Sequence, residues 1–236
     1  MNSSVLPNGA LVDELTQSRL GDDALGEVLA NLWGGDCQTC GRTLGSELPA
    51  LLIDDLGFYT RASLHHSACQ APAWNDSMMI KTSSSALVTW RSVVLVLPFQ
   101  VGGGEILVAA LLVNPSLEEV RLMCEGGVWH PRLDDAFLSG GLTYPAAGIP
   151  IRKPLPAVSG RVTRTSLSAL INGRTETYET SADPEIRAHA DELNGFLLIV
   201  THAAHPGHLD SSGLEAAMTS RVTLVGWAEL EPNSSV

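Results

Sequence analysis

The sequence predicts an α+β fold, in which an N-terminal helical segment and a cysteine-containing knuckle pack on a mostly antiparallel, β-rich body. Three observations predict it. An amphipathic stripe indicates a helix between Asp22 and Trp33. Several short apolar runs end in glycine, proline or asparagine, as strands do. Four cysteines are too few for a disulfide scaffold of this size. Three of them lie between positions 37 and 69, and this clustering suits a metal site.

The composition restricts the classes of function. The chain has 236 residues, with 14 Lys and Arg against 26 Asp and Glu, and a formal net charge of −12. Because this charge repels phosphate backbones and anionic lipids, general binding of nucleic acid is disfavoured. The first residues contain no cationic stretch followed by an apolar block, so we expect no secretory signal and a cytoplasmic protein.

The most apolar stretch, residues 92–113, is about as long as a membrane span. Pro98 and the glycines at 102–104 interrupt it near its middle. Two buried strands, residues 86–97 and 105–113, joined by a glycine turn, explain this pattern better. We therefore expect no membrane span.

The first helix is predicted by apolar residues at three- and four-residue spacing: Leu25, Val28, Leu29, Leu32 and Trp33. Gly34 and Gly35 can end this helix, which delivers the chain directly to Cys37. A second helix is predicted by its caps. Asp183 is the N-cap, Pro184 takes the first helical position, and Asn194 follows the last residue, Leu193.

A hairpin is predicted around Asn172-Gly173, because asparagine and glycine accept the positive φ angles of a two-residue type I′ turn. The strands are residues 162–171 and 174–180. This register places Leu167 opposite Tyr178. Residues 139–160, rich in Gly and Pro and without a sustained period, are interpreted as a long surface connection or a boundary.

Two parts of the chain are expected. Residues 1–80 form the helical and cysteine-containing segment, and residues 81–236 form the β-rich body. The chain is long enough for either one large domain or two small ones.

The cysteine segment supplies a donor set for a metal ion. Cys37 and Cys40 are separated by two residues, and so are His66 and Cys69. Three thiolates and one imidazole are the donors of a closed, tetrahedral zinc site. The two-residue gap lets a tight turn direct both sulfurs at one ion. We predict a structural zinc ion at these four residues.

The segment between the ligand pairs indicates a short hairpin, with strands around "ALLID" and "FYTRASL" and a turn at Asp55-Leu56-Gly57. Residues 37–69 thus resemble a treble-clef zinc finger, and the His-x2-Cys pair is similar to that of LIM modules. The resemblance implies a CxxC knuckle, a hairpin, and a second ligand pair at the start of a helix. It implies metal binding and no particular activity.

Two alternatives remain within this segment. His65 is adjacent to His66 and is a possible ligand in its place, although the spacing to Cys69 favours His66. Cys37-x2-Cys40 is also a redox motif when a strand precedes it and a helix starts in it. The helix before Cys37 and the irregular residues after Cys40 favour zinc. Cys124 has no partner nearby in sequence and is interpreted as a buried or incidental thiol.

An alternative function is metal-dependent hydrolysis by the loop from His202 to Asp210. This loop also contains His205 and His208, and it follows a predicted strand at residues 196–201. It is similar to the Thr-His-x-His-x-Asp-His segment of metallo-β-lactamase-fold hydrolases. An extra alanine separates its first two histidines, and Gly207 stands where that motif has a metal-binding Asp.

A second alternative is an anionic ligand or nucleic acid bound by a basic segment. Its residues are Arg152, Lys153, Arg161, Arg164 and Arg174, and residues 136–175 contain no acidic residue. A solvated strand face is the favoured explanation of these charges.

The leading hypothesis is a non-catalytic protein that a zinc ion stabilises and that acts through contacts with a protein partner or with itself. Such a role is that of an adaptor, an assembly factor or a regulator. Only 17% of the residues are charged, and the strands are long and apolar, which leaves room for an apolar contact surface.

Overall fold

A computed structural model describes residues 9–79, 91–101, 103–115, 117–133, 135–172 and 176–232, without the side chains of residues 101 and 176–180. Within these ranges the helices are α1 (Glu14–Ala30), α2 (Asp135–Ser139), α3 (Pro184–Leu193) and α4 (Ser211–Thr219). The first seven strands are β1 (Ala50–Asp55), β2 (Thr60–His65), β3 (Ala73–Asn75), β4 (Arg91–Val101), β5 (Gly104–Asn114), β6 (Glu119–Glu125) and β7 (Val128–Arg132). The others are β8 (Pro154–Val162), β9 (Ser166–Ile171), β10 (Glu176–Ser181), β11 (Gly195–Thr201) and β12 (Thr223–Leu230).

The strands form two sheets, and the predicted α+β class is confirmed. One sheet has the order β3-β1-β2-β6-β7, and the other has the order β10-β9-β8-β12-β11-β5-β4. Neighbouring strands are antiparallel except for the pairs β1–β3, β5–β11 and β8–β12. No helix in the described ranges is long and apolar enough to cross a membrane.

The chain divides into two compact units that alternate along the sequence. The first unit contains Met1–Trp90 and Pro115–Leu133, and the second contains Arg91–Asn114 and Asp134–Val236. The five-stranded sheet belongs to the first unit and the seven-stranded sheet to the second. Each unit has its own cluster of buried apolar side chains.

In the first unit, α1 covers one face of the five-stranded sheet. The predicted stripe is buried, with Leu25, Val28 and Leu29 almost fully inaccessible. It belongs to the same cluster as Leu51 and Leu64, which are paired across β1 and β2. This apolar face holds the hairpin against the helix.

Helix α1 begins earlier than predicted. Asp13 accepts hydrogen bonds from the backbone N–H groups of Leu15 and Thr16, so it caps a first segment that ends at Gly21. Gly21 has φ 72° and ψ 168°, which a residue with a side chain rarely adopts, and it kinks the helix there. The prediction thus recovered only the second segment.

In the second unit, the pairing of β4 with β5 is confirmed, with Val101 paired with Gly104, but the side chains of residues 91–100 in β4 are half-buried or exposed and not buried as expected. The predicted first strand began at residue 86, and residues 86–90 lie outside the described ranges. Helix α3 is confirmed at both ends, because the Asp183 carboxylate accepts from the N–H of Ile186 and Asn194 has a left-handed backbone with φ 51°.

The register predicted for the next hairpin is wrong. Leu167 pairs with Thr180, and Tyr178 pairs with Ala169. Because Ile171 pairs with Glu176, four residues separate the strands instead of two. Within residues 139–160, which the composition favoured as a connection, the structure places the 3-10 helix Pro145–Ala147 and most of β8.

Candidate metal centre

Four side chains predicted from the sequence lie together in the first unit. The ligand atoms of Cys37, Cys40, His66 and Cys69 are all within 4.8 Å of one another. His66 Nδ1 lies 3.5 Å from Cys40 Sγ and 3.9 Å from Cys69 Sγ. A tetrahedral zinc ion with bonds of about 2.3 Å to sulfur and about 2.0 Å to nitrogen separates such a pair by about 3.5 Å. The two nitrogen–sulfur distances are therefore close to those of a tetrahedral metal site.

The first ligand pair lies in a tight turn. The backbone N–H of Cys37 donates to the carbonyl of Arg42 (2.8 Å), and that of Gly41 donates back to the carbonyl of Cys37 (2.9 Å). Gly41 has φ 71°, which closes the turn without a Cβ clash. The Sγ of Cys37 also accepts the backbone N–H of His66 at 3.3 Å. The turn and the second ligand pair are thus joined by a direct hydrogen bond.

The β1–β2 hairpin carries the chain from the first ligand pair to the second. Strand β2 ends at His65, so His66 is the first residue beyond it. The N–H groups of Cys69 and Gln70 both donate to the carbonyl of His66, which forms a single turn. The chain then continues into β3. The hairpin expected from the treble-clef resemblance is present, whereas the helix expected after the second pair is replaced by β3.

The two adjacent histidines have different environments. His66 Nε2 lies 3.0 Å from the carbonyl oxygen of Thr43, to which it can only donate. This hydrogen bond leaves Nδ1 unprotonated on the side of the sulfurs, with a lone pair that can bind a metal ion, as in metal-ligating histidines. His65 is fully buried, and its Nδ1 and Nε2 are hydrogen-bonded to the hydroxyls of Thr39 (2.9 Å) and Ser63 (2.8 Å). The structure therefore brings His66, and not His65, to the cysteines.

The electrostatics of the cysteines differ with their surroundings. The side chain and the backbone N–H of Arg42 lower the pKa of Cys40 to about 6. Burial raises the pKa of Cys37, but hydrogen bonds from the backbone of His66 and of the turn outweigh it, so the net pKa is lowered. Burial raises the pKa of Cys69. Two of the three sulfurs are thus biased toward the thiolate form, which binds metal ions.

A buried glutamate that sequence reasoning missed supports the turn. Glu118 is fully buried, and its Oε1 accepts the backbone N–H of Asp36 (2.8 Å) while Oε2 accepts Nε2 of Gln38 (3.4 Å). It lies directly before β6, far along the chain from the cysteines. Its neighbour Glu119 has the same side chain, so no local pattern indicates which of the two glutamates is buried.

The loop from His202 to Asp210 does not assemble a comparable group. The rings of His205 and His208 are 4.9 Å apart, but Nδ1 of His205 accepts the N–H of Gly207 (3.0 Å). The Asp210 carboxylate caps α4 by accepting the N–H of Gly213 (2.7 Å). Among the described residues, the cysteine and histidine group is the one close enough to hold a metal ion.

The basic segment is only partly engaged within the chain. Arg152, Lys153 and Arg164 are exposed, and Arg161 forms an ion pair with Glu231 at 2.9 Å. Arg174 lies outside the described residues. The fourth cysteine, Cys124, is an exposed free thiol on β6, so of the two interpretations, a buried or an incidental thiol, the buried one is wrong.

Comparison with known proteins found no matching family model, no matching curated protein and no matching solved structure. The geometry of the four candidate ligands is therefore the main indication of function.

The hydrogen bonds between Glu118 and the cysteine turn predict that Gly35→Ala destabilises the protein. A Cβ at Gly35 would overlap Oε1 of Glu118, so Gly35→Ala would force this buried carboxylate away from its hydrogen bonds to Asp36 and Gln38. We expect a loss of about 1–3 kcal/mol in the free energy of unfolding, measured by urea denaturation.

The matched control is Gly34→Ala, since the nearest atom to a Cβ at Gly34 is 4.0 Å away. Equal losses for the two variants would show that Glu118 does not support the turn.

The burial of His65 predicts a dependence on pH. Burial lowers its pKa from the usual 6.5 to about 4. Between these values the unfolded chain binds a proton that the folded chain does not, so protonation favours unfolding. Stability falls by up to about 3 kcal/mol as the pH drops through this window.

The direct measurement is an NMR titration of the imidazole signals, with the His65 signal assigned by its absence in His65→Gln. We expect this signal not to titrate above about pH 5, and a midpoint near 6.5 would contradict the assigned burial.

Proposed function

We propose that the protein is a non-catalytic, zinc-stabilised protein that acts through contacts with other proteins. The observation that carries the proposal is the convergence of Cys37, Cys40, His66 and Cys69 within 4.8 Å. Three sulfurs and one nitrogen favour zinc over magnesium or calcium, which prefer oxygen donors. Four protein ligands complete a tetrahedron, so no position remains for a water molecule or a substrate. This argues for a structural ion.

The charge of the site also suits zinc. A divalent ion with three thiolates and a neutral imidazole has a net charge of about −1. The guanidinium of Arg42 is hydrogen-bonded to Cys40 and supplies a compensating positive charge at the exposed side of the site. The ion would connect the first turn, the end of β2 and the turn before β3. Such a connection contributes on the order of 10 kcal/mol to folding.

The proposed contact surface lies at the other end of the β1–β2 hairpin. Phe58 in the hairpin turn is 89% exposed, and Met78 and Met79 are 62% and 69% exposed. A Cβ at Gly57 would lie 3.6 Å from Cε of Met78, so Met78 lies against the hairpin turn that carries Phe58, and Met79 is the next residue in the chain. A cluster of exposed large apolar side chains is typical of an interaction site, and methionine adapts to varied partner surfaces. We call these three residues the apolar tip.

The hairpin links the proposed zinc ion to the apolar tip. Its six-residue strands extend over about 20 Å, with His66 beyond one end and Phe58 in the turn at the other. Six backbone pairs hold the two strands in register. By fixing the base of the hairpin, the ion would reduce the conformational freedom of the tip and so lower the entropic cost of binding.

Metal removal tests the zinc half of the proposal. We expect elemental analysis of the purified protein to find one zinc ion per chain. After chelation, amide hydrogen exchange should become faster in residues 37–69, because the ligand pairs lose their common ion. Cys37→Ser should reproduce this effect, whereas Cys124→Ser should retain the metal. A protein that contains no zinc, or whose exchange is unchanged without it, would contradict the proposal.

Site-specific photo-crosslinking tests the contact half. A photoreactive phenylalanine at position 58 should form defined protein adducts in a native extract, and mass spectrometry distinguishes a second copy of the chain from another protein. Adduct yield should fall several-fold after chelation or in Met78→Ser, because both changes weaken the apolar tip. The same probe at Val128, which is 51% exposed on β7, is the matched control. Equal adducts at the two positions would contradict a specific contact.

A further inference from the structure

We propose that Cys40 and Cys69 are an oxidation site for hydrogen peroxide, at which the two sulfurs form a disulfide and the zinc ion is released. This inference rests on the proposed zinc ion and concerns the regulation of that centre. In a redox CxxC motif, Cys37 and Cys40 would form the disulfide. Here the predicted disulfide joins Cys40 to Cys69 and leaves Cys37 reduced.

The three sulfurs differ in accessibility. Cys37 is fully buried within the apolar cluster of the first unit, and its Sγ accepts the backbone N–H of His66. Cys40 is exposed, and Cys69 is half-buried. A solvent-borne oxidant therefore reaches Cys40 first and Cys37 last. Zinc-bound thiolates are already deprotonated, so the exposed sulfur is held in its nucleophilic form.

The surroundings of the sulfurs favour Cys69 over Cys37 as the second sulfur. The two sulfurs lie within 4.8 Å of each other, and both belong to turns rather than to the interior of a strand or helix. A disulfide requires a sulfur separation of about 2.0 Å, which these turns can reach by a small movement. Cys37, in contrast, is held by its buried surroundings and by two backbone hydrogen bonds to Arg42 and Gly41.

The chemistry balances with hydrogen peroxide as the oxidant. The Cys40 thiolate attacks one peroxide oxygen, the O–O bond breaks, and hydroxide leaves to give a sulfenic acid. The Cys69 thiolate then attacks the Cys40 sulfur, the S–S bond forms, and a second hydroxide leaves. Two electrons pass from the sulfurs to the peroxide, and the two hydroxides take up protons to form water. The ion loses two of its four ligands and dissociates.

The test treats the full, zinc-loaded chain with hydrogen peroxide in the presence of a chromogenic zinc chelator. We expect stoichiometric zinc release together with the mass loss of two hydrogen atoms. Peptide mapping should find Cys40 linked to Cys69, with Cys37 open to alkylation after denaturation. Addition of a thiol reductant and zinc should restore the metal-bound protein. A disulfide that contains Cys37, or zinc that stays bound while Cys124 is oxidised, would overturn the proposal.

Two variants sharpen the test. Cys40→His keeps a zinc ligand at this position but removes the exposed sulfur, so zinc release should slow by on the order of tenfold or more. Cys124→Ser removes the other exposed thiol and should release zinc as the unchanged protein does. If Cys40→His fails to bind zinc, the disulfide map of the unchanged chain decides alone. Zinc present both before and after peroxide overturns this inference but not the proposed function, whereas its absence before peroxide overturns both.

Discussion

The contact between the first cysteine turn and the end of β2 is the constraint on which the first unit depends. The backbone N–H of His66 donates to Cys37 Sγ, and the backbone N–H of Gln38 donates to the carbonyl of Leu64. These two hydrogen bonds bring the turn to the hairpin before any metal ion is considered. The end of β2 also explains why His65 and His66 have different environments. Alternation along β2 directs His65 inward beside Ser63, and the end of the strand frees His66 to turn toward the sulfurs.

The parts of the candidate site and of the fold that the sequence predicted are those that depend on short-range spacing. The two-residue gaps in Cys37-x2-Cys40 and His66-x2-Cys69 restrict where their side chains can point, and the caps of α3 act on the nearest backbone groups. Both predictions needed only a few neighbouring residues. The hairpin between the ligand pairs was also local, because its turn at Gly57 connects directly adjacent strands.

The parts that the sequence did not predict depend on long-range packing. Glu118 reaches the turn at Asp36 from 82 residues further along the chain, and no local pattern distinguishes it from Glu119. Strand β8 begins at Pro154 and contains Pro156, yet it lies between β9 and β12. Both prolines precede Val158, where the pairing of β8 with β9 begins, and they lie where its register with β12 shifts, so neither has to donate to two partner strands. The register of β9 and β10 likewise follows a four-residue connection and not the two-residue turn that Asn172-Gly173 favours.

The alternation of the two units along the chain has a consequence for biosynthesis. The hairpin and all four candidate ligands leave the ribosome early, but Glu118 and the strands β6 and β7 are synthesised only after the β4–β5 hairpin of the other unit. Chains usually fold as they emerge, one cooperative unit at a time. Here the nascent cysteine segment must wait through that intervening hairpin for the rest of its sheet. An early metal ion would hold the exposed segment in a native arrangement during this interval.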